Sequence, residues 1–150
     1  MPLKLELVKQ TSIPLELEGI TPEVVRELDN AEIENLEIFE GNNKTRLGDF
    51  FQVQGDAHDG EVQFVGDLSG VHWIGAKMSS GRITIEGSAG RHVGSEMSGG
   101  RIDVSGDVSD WLGAEMRGGL IHVRGRAGHL VGAAYRGSAV GMRGGTILVD

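Results

Sequence analysis

Residues 113–119 read GAEMRGG, a near copy, GSEMSGG, stands at 94–100, and MRGG returns at 142–145. Glycine-rich runs can cradle phosphate, because backbone N–H groups freed of side chains approach an anion closely. Phosphate loops, however, occur once or twice per fold, at a strand-to-helix turn. Here the glycines recur at regular spacing with no helical pattern behind them, so they read as corners between repeated short segments. The histidines, His58, His72, His92, His122 and His129, include no pair at i, i+4 spacing, and the chain has no cysteine. Helical zinc sites, thiolate sites, disulfides and cysteine nucleophiles therefore drop out. By repeat alignment His129, Asp110 and Arg91 fall in one outward column, which predicts a cross-strand ion ladder.

Arginine is the more suggestive residue. No lysine follows Lys77, yet Arg82, Arg91, Arg101, Arg117, Arg124, Arg126, Arg136 and Arg143 do. Arginine forms bidentate contacts to carboxylates and phosphates and is favoured at protein interfaces. Arg117 and Arg143 align at one corner, and Arg136 lies in an extra loop between them, next to Tyr135, the chain's single tyrosine. Trp73 and Trp111 occupy matching places. These six residues are the candidate partner interface. No nucleophile–base pair, carboxylate dyad or metal cluster emerges, so no catalytic, cofactor-binding or metal-ligating residue is assigned.

The elements that position these residues follow from the repeats. Gly81, Gly87, Gly94 and Gly100 are spaced by six, seven and six residues, as are Gly100, Gly106, Gly113 and Gly119, so one unit is 19 residues. The unit from Gly60 through Gly66 and Gly75 is two residues longer, and the one from Gly119 through Gly125 and Gly132 to Gly145 is seven longer. Within each unit apolar residues alternate: Val62 and Phe64, Ile83 and Ile85, Ile102 and Val104, Ile121 and Val123, Ile147 and Val149. Their polar neighbours should face outward. Ile74, Val93, Leu112 and Val131 form another column, as do Met78, Met97, Met116 and Met142, whose even spacing favours core filling over a soft binding strip. Such columns predict a mainly β fold, a β-helix whose turns stack about 4.8 Å apart. Gly66, Gly75, Gly87, Gly94, Gly106, Gly113, Gly125 and Gly132 become its corners, where positive φ or close backbone approach excludes a Cβ.

The division is 1–47 as an N-terminal capping region and 48–150 as the glycine-repeat β-helix. In the first, Leu3, Leu5 and Leu7, then Leu15 and Leu17, alternate with charged residues and predict two short strands. ITPEVVRELDN predicts a short helix with Thr21 as N-cap and Pro22 in its first turn. Ile33, Leu36 and Ile38 lead into a third apolar segment ending at Gly41. Residues 1–40 carry ten acidic and three basic side chains within a total net charge of −8. That balance offers no basic stripe for nucleic acid or anionic membrane. The start lacks an apolar signal core and no run reaches membrane-spanning length, so a cytoplasmic protein is expected. The last segment, Thr146–Val149, is apolar with nothing following to cover it, which predicts either a longer parent chain, a protein cap or self-association.

GRITIEGSAGRHVGSEMSGG, GRIDVSGDVSDWLGAEMRGG and GLIHVRGRAGHLVGAAYRGSAVGMRGG resemble the glycine-repeat β-helix shared by two families. One is the C subunit of formylmethanofuran dehydrogenase with its bacterial counterpart in the formyltransferase/hydrolase complex. The other is the C-terminal domain of the glutamate synthase large subunit. The YRG…GMRGG insertion, the lead-in EGNNKTRLGDFFQVQGD and the leader with ITPEVV look most like the former. That resemblance implies a right-handed β-helix serving as a non-catalytic structural subunit in one-carbon metabolism, including methanogenesis. It binds no cofactor itself; molybdenum or tungsten pterin, iron–sulfur clusters and hydrolase metals belong to pterin-binding, hydrolase-like or transferase-like partner subunits. In the bacterial form the complex moves a formyl group between tetrahydromethanopterin and a methanofuran-like carrier and releases formate. The family supplies no catalytic residue to carry over, and this chain is shorter than its usual members. The alternatives are a glutamate synthase-type module and a hexapeptide-repeat acyltransferase; the latter should place an aliphatic residue every six positions, unlike the 6-7-6 glycine spacing here.

Overall fold

A computed structural model of the chain describes residues 2–135 and 141–150. The chain is mainly β, as the period-two alternation predicts. The repeats supply β6 (Glu61–Val65), β8 (Arg82–Glu86), β9 (Arg101–Val104), β10 (Leu120–Val123) and β11 (Thr146–Val149). These pair in parallel and in repeat register: Val62 beside Ile83, Ile83 beside Ile102, Ile102 beside Ile121 and Ile121 beside Ile147. Side chains alternate faces along a strand, so this register puts every aliphatic of the set on one face. Val62 is 2% exposed, and Ile83, Ile102 and Ile121 are wholly buried.

The N-terminal leucine alternations also become strands. β1 (Leu3–Leu7) pairs in parallel with β6 and antiparallel with β5 (Phe51–Gln54), giving a seven-stranded sheet ordered β11-β10-β9-β8-β6-β1-β5. β2 (Leu15–Glu16) lies parallel to β7 (Val71–His72) and antiparallel to β3 (Glu37–Glu40), which turns back on β4 (Asn43–Arg46). The amino-terminal strands thus share both sheets with the repeats, and their leucines join the same core. The predicted helix is α1 (Pro22–Val25), flanked by Thr21, whose side chain makes no capping bond. A second helix, α2 (Asn30–Glu34), which apolar spacing alone does not separate from the lead-in to the third apolar segment, carries Ile33. Its cause lies in a capping box: Asp29 accepts from the Glu32 backbone N–H, and the Glu32 carboxylate accepts from that of Asp29.

Outside the strands, hydrogen bonds again join residues one unit apart. Trp73 N–H donates to the Arg91 carbonyl, His92 to Asp110 and Trp111 to His129, while Gly94, Gly113 and Gly132 donate to Ile74, Val93 and Leu112. Ile74, Val93, Leu112, Met78, Met97 and Met116 are completely buried, so the methionines are core filler. Each such side chain contributes about 1.5–3 kcal/mol through burial. The columns decay at the end: Val131 and Val149 are exposed, as is Leu148 on the outer face, and β11 is an edge strand.

Two outward columns differ from expectation. Asp103 is only 8% exposed instead of solvated, because its carboxylate is held by two arginines. The predicted Arg91–Asp110–His129 ion ladder does not form among the described residues: Asp110 Oδ1 instead accepts the His129 backbone N–H at 2.7 Å. A carboxylate one unit away from an otherwise unpaired backbone donor satisfies it at shorter reach than a flexible side chain would.

Candidate functional site

The corner after the second short segment of each unit holds the most unusual chemistry. Trp73, His92, Trp111 and Leu130 occupy equivalent places, and all have left-handed backbones, with φ of 67, 64, 66 and 64°. For non-glycine residues that conformation costs about 1–2 kcal/mol each. Side chains repeated at this corner must then emerge one above another. The Trp73 and His92 rings are parallel to within 1° at a centroid separation of 3.9 Å, and Trp111 continues the stack at 5.6 Å and 9°. Tyr135 leans against all three, its ring 6.4, 5.8 and 5.8 Å from Trp73, His92 and Trp111. Stacked aromatic pairs contribute about 0.5–1.5 kcal/mol beyond burial, which offsets much of the backbone strain.

Polar groups around the stack fix its state. Burial, then the positive charge of Arg91, then His72, push the His92 imidazole down from its ordinary value to about 4, so it is neutral at physiological pH. Its Nδ1 lies 3.2 Å from the Oγ of fully buried Ser95, which also donates to the Trp111 carbonyl. His72 is likewise held below its ordinary value, by burial and then Arg91, and its Nδ1 accepts the Arg91 backbone N–H at 2.7 Å. Glu115 accepts the Tyr135 backbone N–H at 2.8 Å, tying the start of the inserted loop to the stack. The Tyr135 hydroxyl is buried near Ser95 and makes no well-formed hydrogen bond among the described residues, and burial pushes the phenol upward. Alongside runs a second left-handed column, Lys77, Glu96 and Glu115, in which Lys77 pairs with Glu18 at 2.7 Å.

Of the residues singled out from sequence, Trp73, Trp111 and Tyr135 are thus gathered into one partly exposed cluster. Arg117 and Arg143 are exposed at another corner, where their backbone N–H groups donate to Met97 and Met116. No hydrogen bond, ion pair or ring contact joins them to the aromatic cluster among the described residues. Arg136 lies outside the described residues. His92, the centre of the stack, was missed, although its position 19 residues from each tryptophan carried the signal. Among the described residues no group of histidines and carboxylates could hold a metal ion.

The predicted corner glycines divide into three kinds. Gly75, Gly94, Gly113 and Gly132 have φ between 62 and 73°. A Cβ on Gly75, Gly94 or Gly113 would sit 2.5 Å from the Cδ1 of Ile102, Ile121 or Ile147. Gly66 and Gly87 also have positive φ, 127 and 135°. Gly106 and Gly125 lack it, but a Cβ there would meet the carbonyl oxygen of Gly87 at 2.7 Å or of Gly106 at 2.5 Å. At Gly75, Gly94 and Gly113 a side chain is thus excluded by packing as well as by backbone conformation.

No protein-family model matches the chain. Among curated proteins, the C subunit of the molybdenum-containing formylmethanofuran dehydrogenase 1 of Methanothermobacter marburgensis is 46% identical over 79 residues, 52% of this chain and 20% of that protein. The C subunit of the tungsten-containing formylmethanofuran dehydrogenase 2 of the same organism is 40% identical over 89 residues, 57% of this chain and 33% of that protein. This chain therefore spans only a fifth to a third of these relatives. Among solved structures, a chain in the crystal structure of the formyltransferase/hydrolase complex (FhcABCD) from Methylorubrum extorquens, in complex with methylofuran, superposes with a TM-score of 0.91 and 28% identity, over 98% of this chain and 55% of that one. Sequence over half of the chain and fold over nearly all of it therefore agree: the chain is related to the C subunits of the formylmethanofuran dehydrogenases and to a chain of the formyltransferase/hydrolase complex.

Proposed function

We propose that this chain is a non-catalytic structural subunit, or part of one, in a formylmethanofuran dehydrogenase or formyltransferase/hydrolase complex of cytoplasmic one-carbon metabolism. The observation that carries this reading is the near-complete superposition on a chain of the FhcABCD complex together with 40–46% identity to the C subunits of two dehydrogenases. In this proposal residues 48–150 form a right-handed single-stranded β-helix and residues 1–47 cap its first turn. The parallel repeat register and the pairing of β1 on β6 and β2 on β7 support it. The corner glycines keep the turns in contact. Trp73, Trp111, Tyr135, Arg117 and Arg143, with Arg136, form the partner-facing side, since half-buried aromatics and arginine are the residues that anchor interfaces. The exposed edge at β11, with Leu148 and Val149, is covered by a further protein segment. Any molybdenum or tungsten pterin and iron–sulfur clusters reside in partner subunits.

The chain, tagged and purified from its native source, should bring down hydrolase-like, transferase-like or pterin-binding subunits in stoichiometric amounts, with formyl-group chemistry in that complex. Trp111→Ala should weaken the association, leaving the chain folded. Turnover of a formyl compound by the purified chain free of partners, or a native chain that elutes alone, would overturn the proposal.

A further inference from the structure

On the outer face of the parallel sheet, away from the aromatic stack, Arg82, Arg101 and Arg124 line one surface depression of about 260 Å³ together with Thr84, Glu86, Asp103 and Ser105. Arg82 and Arg101 are register partners on neighbouring strands. Between them Asp103 is buried beneath the guanidinium groups. Its Oδ2 accepts from Arg101 Nε at 2.8 Å and from Arg82 Nε at 3.2 Å, and its Oδ1 accepts from Arg101 at 3.0 Å. Burial alone would raise the Asp103 carboxyl, but the hydrogen bonds and charges of Arg101 and Arg82 outweigh it and hold the group below its ordinary value. The carboxylate therefore stays ionised and locks both side chains in place.

A guanidinium has five N–H donors. Asp103 engages about two on each, leaving the outer edge of both forks directed at solvent; the side chains are 47% and 45% exposed. Arg124 is exposed and makes no ion pair or side-chain hydrogen bond among the described residues. Glu86, at the rim, accepts from the neutral Gln63 amide at 2.6 Å and keeps its charge, and Asp150 lies 3.2 Å from His122 Nε2. In a chain of net charge −8, this face presents two arginines fixed by a buried carboxylate and a third, Arg124, that is free among the described residues, against the two carboxylates of Asp103 and Glu86. Arg82 and Arg101 face each other across β8 and β9, whereas Arg124, just past β10, lies four residues beyond Leu120, the partner of Arg101, so it stands roughly 14–16 Å from the other two. Alternate side chains of an extended peptide are about 6.8 Å apart, so carboxylates at i and i+4, about 13.6 Å apart, reach from the Arg82–Arg101 pair to Arg124.

We propose that this face is a docking surface for an extended acidic segment of another protein, its alternate carboxylates seated on Arg82, Arg101 and Arg124. The inference uses this chain's own geometry and does not rest on its place in a one-carbon complex. Planar forks fixed in advance lose less side-chain freedom on pairing than mobile lysines, which favours recognition over general charge attraction.

The test is fluorescence anisotropy of a labelled hexapeptide alternating glutamate and threonine, titrated with the full chain at low ionic strength. Binding should saturate and weaken as salt rises. Arg124→Gln, which touches neither Asp103 nor the core, should weaken it about fivefold or more, and Arg126→Gln, an exposed arginine outside the depression, should leave it within about twofold. Equal losses in the two variants would overturn the proposal, because only bulk charge would then be sensed. Binding that fails to saturate would also overturn it. So would inorganic phosphate that displaces the peptide at an affinity equal to the peptide's own, since the face would then be a small-anion site.

Discussion

Replacing Gly75 by alanine tests the stacking of repeats at a single methyl group. Gly75 has φ of +73°, a conformation that costs an L-residue about 1–2 kcal/mol. The added Cβ would lie 2.5 Å from Ile102 Cδ1 and 3.3 Å from Ile83 Cδ1. Both isoleucines are completely buried and have no solvent to retreat into. Overpacking of this kind costs about 1–3 kcal/mol. The total is about 2–5 kcal/mol, which for a chain of this size lowers Tm by roughly 5–15 °C. Urea and thermal denaturation followed by far-UV circular dichroism measure it. Two further variants separate the components. Gly19→Ala meets positive φ, +95°, with nothing within 4 Å of the new Cβ, so it should show the backbone cost alone. Ile102→Val removes the clashing Cδ1 and by itself costs about 0.5–1.5 kcal/mol. In the double variant Gly75→Ala/Ile102→Val the loss should fall short of the sum by about 1 kcal/mol or more. Strict additivity, within about 0.5 kcal/mol, would mean that residues 75 and 102 do not touch, and the stacked register would be refuted.

Two other predictions concern the aromatic stack. The His92 imidazole has a folded pKa lowered to about 4 from an ordinary 6.5, so the stability it contributes is fully present above about 6.5 and is lost as pH falls from there through 4. His92→Phe, which keeps a ring in the stack, should flatten the stability–pH profile between 6.5 and 5, leaving the smaller part from His72, which is lowered in the same direction; an unchanged slope would contradict the buried neutral imidazole. Tyr135→Ala removes the ring that leans on three others and should alter near-ultraviolet circular dichroism and tryptophan emission with a stability loss of about 1–3 kcal/mol; spectra identical to the parent would show that Tyr135 does not rest on the tryptophans.

How far the structure could be anticipated depends on whether an interaction repeats. Ile83, Ile102 and Ile121 recur every 19 residues with alternating polarity, and parallel strands bury such a set only in one register. The mainly β class, the buried methionine column and the absence of Cβ space at Gly94 or Gly113 follow from that period alone. The amino-terminal strands were equally legible, because Leu3 and Leu5 alternate cleanly. The second helix was less so: it is only five residues long, and its apolar residue Ile33 runs straight on into the apolar segment of Leu36 and Ile38, so only the capping box at Asp29 and Glu32 sets it apart. Polar side chains defied the pattern, since alternation specifies the face a residue occupies and leaves open what it meets there. Asp103 occupies a nominally outward place yet is buried, because arginines from its own and the neighbouring strand close over it. Asp110 was expected to pair with charged side chains and instead accepts a backbone N–H. His92 becomes a neutral ring between two tryptophans only when three left-handed corners are superposed. Periodicity thus determined the ladder, because main-chain pairing and apolar burial act identically in every repeat. The pairing and protonation of His92, Asp103 and Tyr135 were decided by the tertiary structure, because each depends on particular neighbours that occur once.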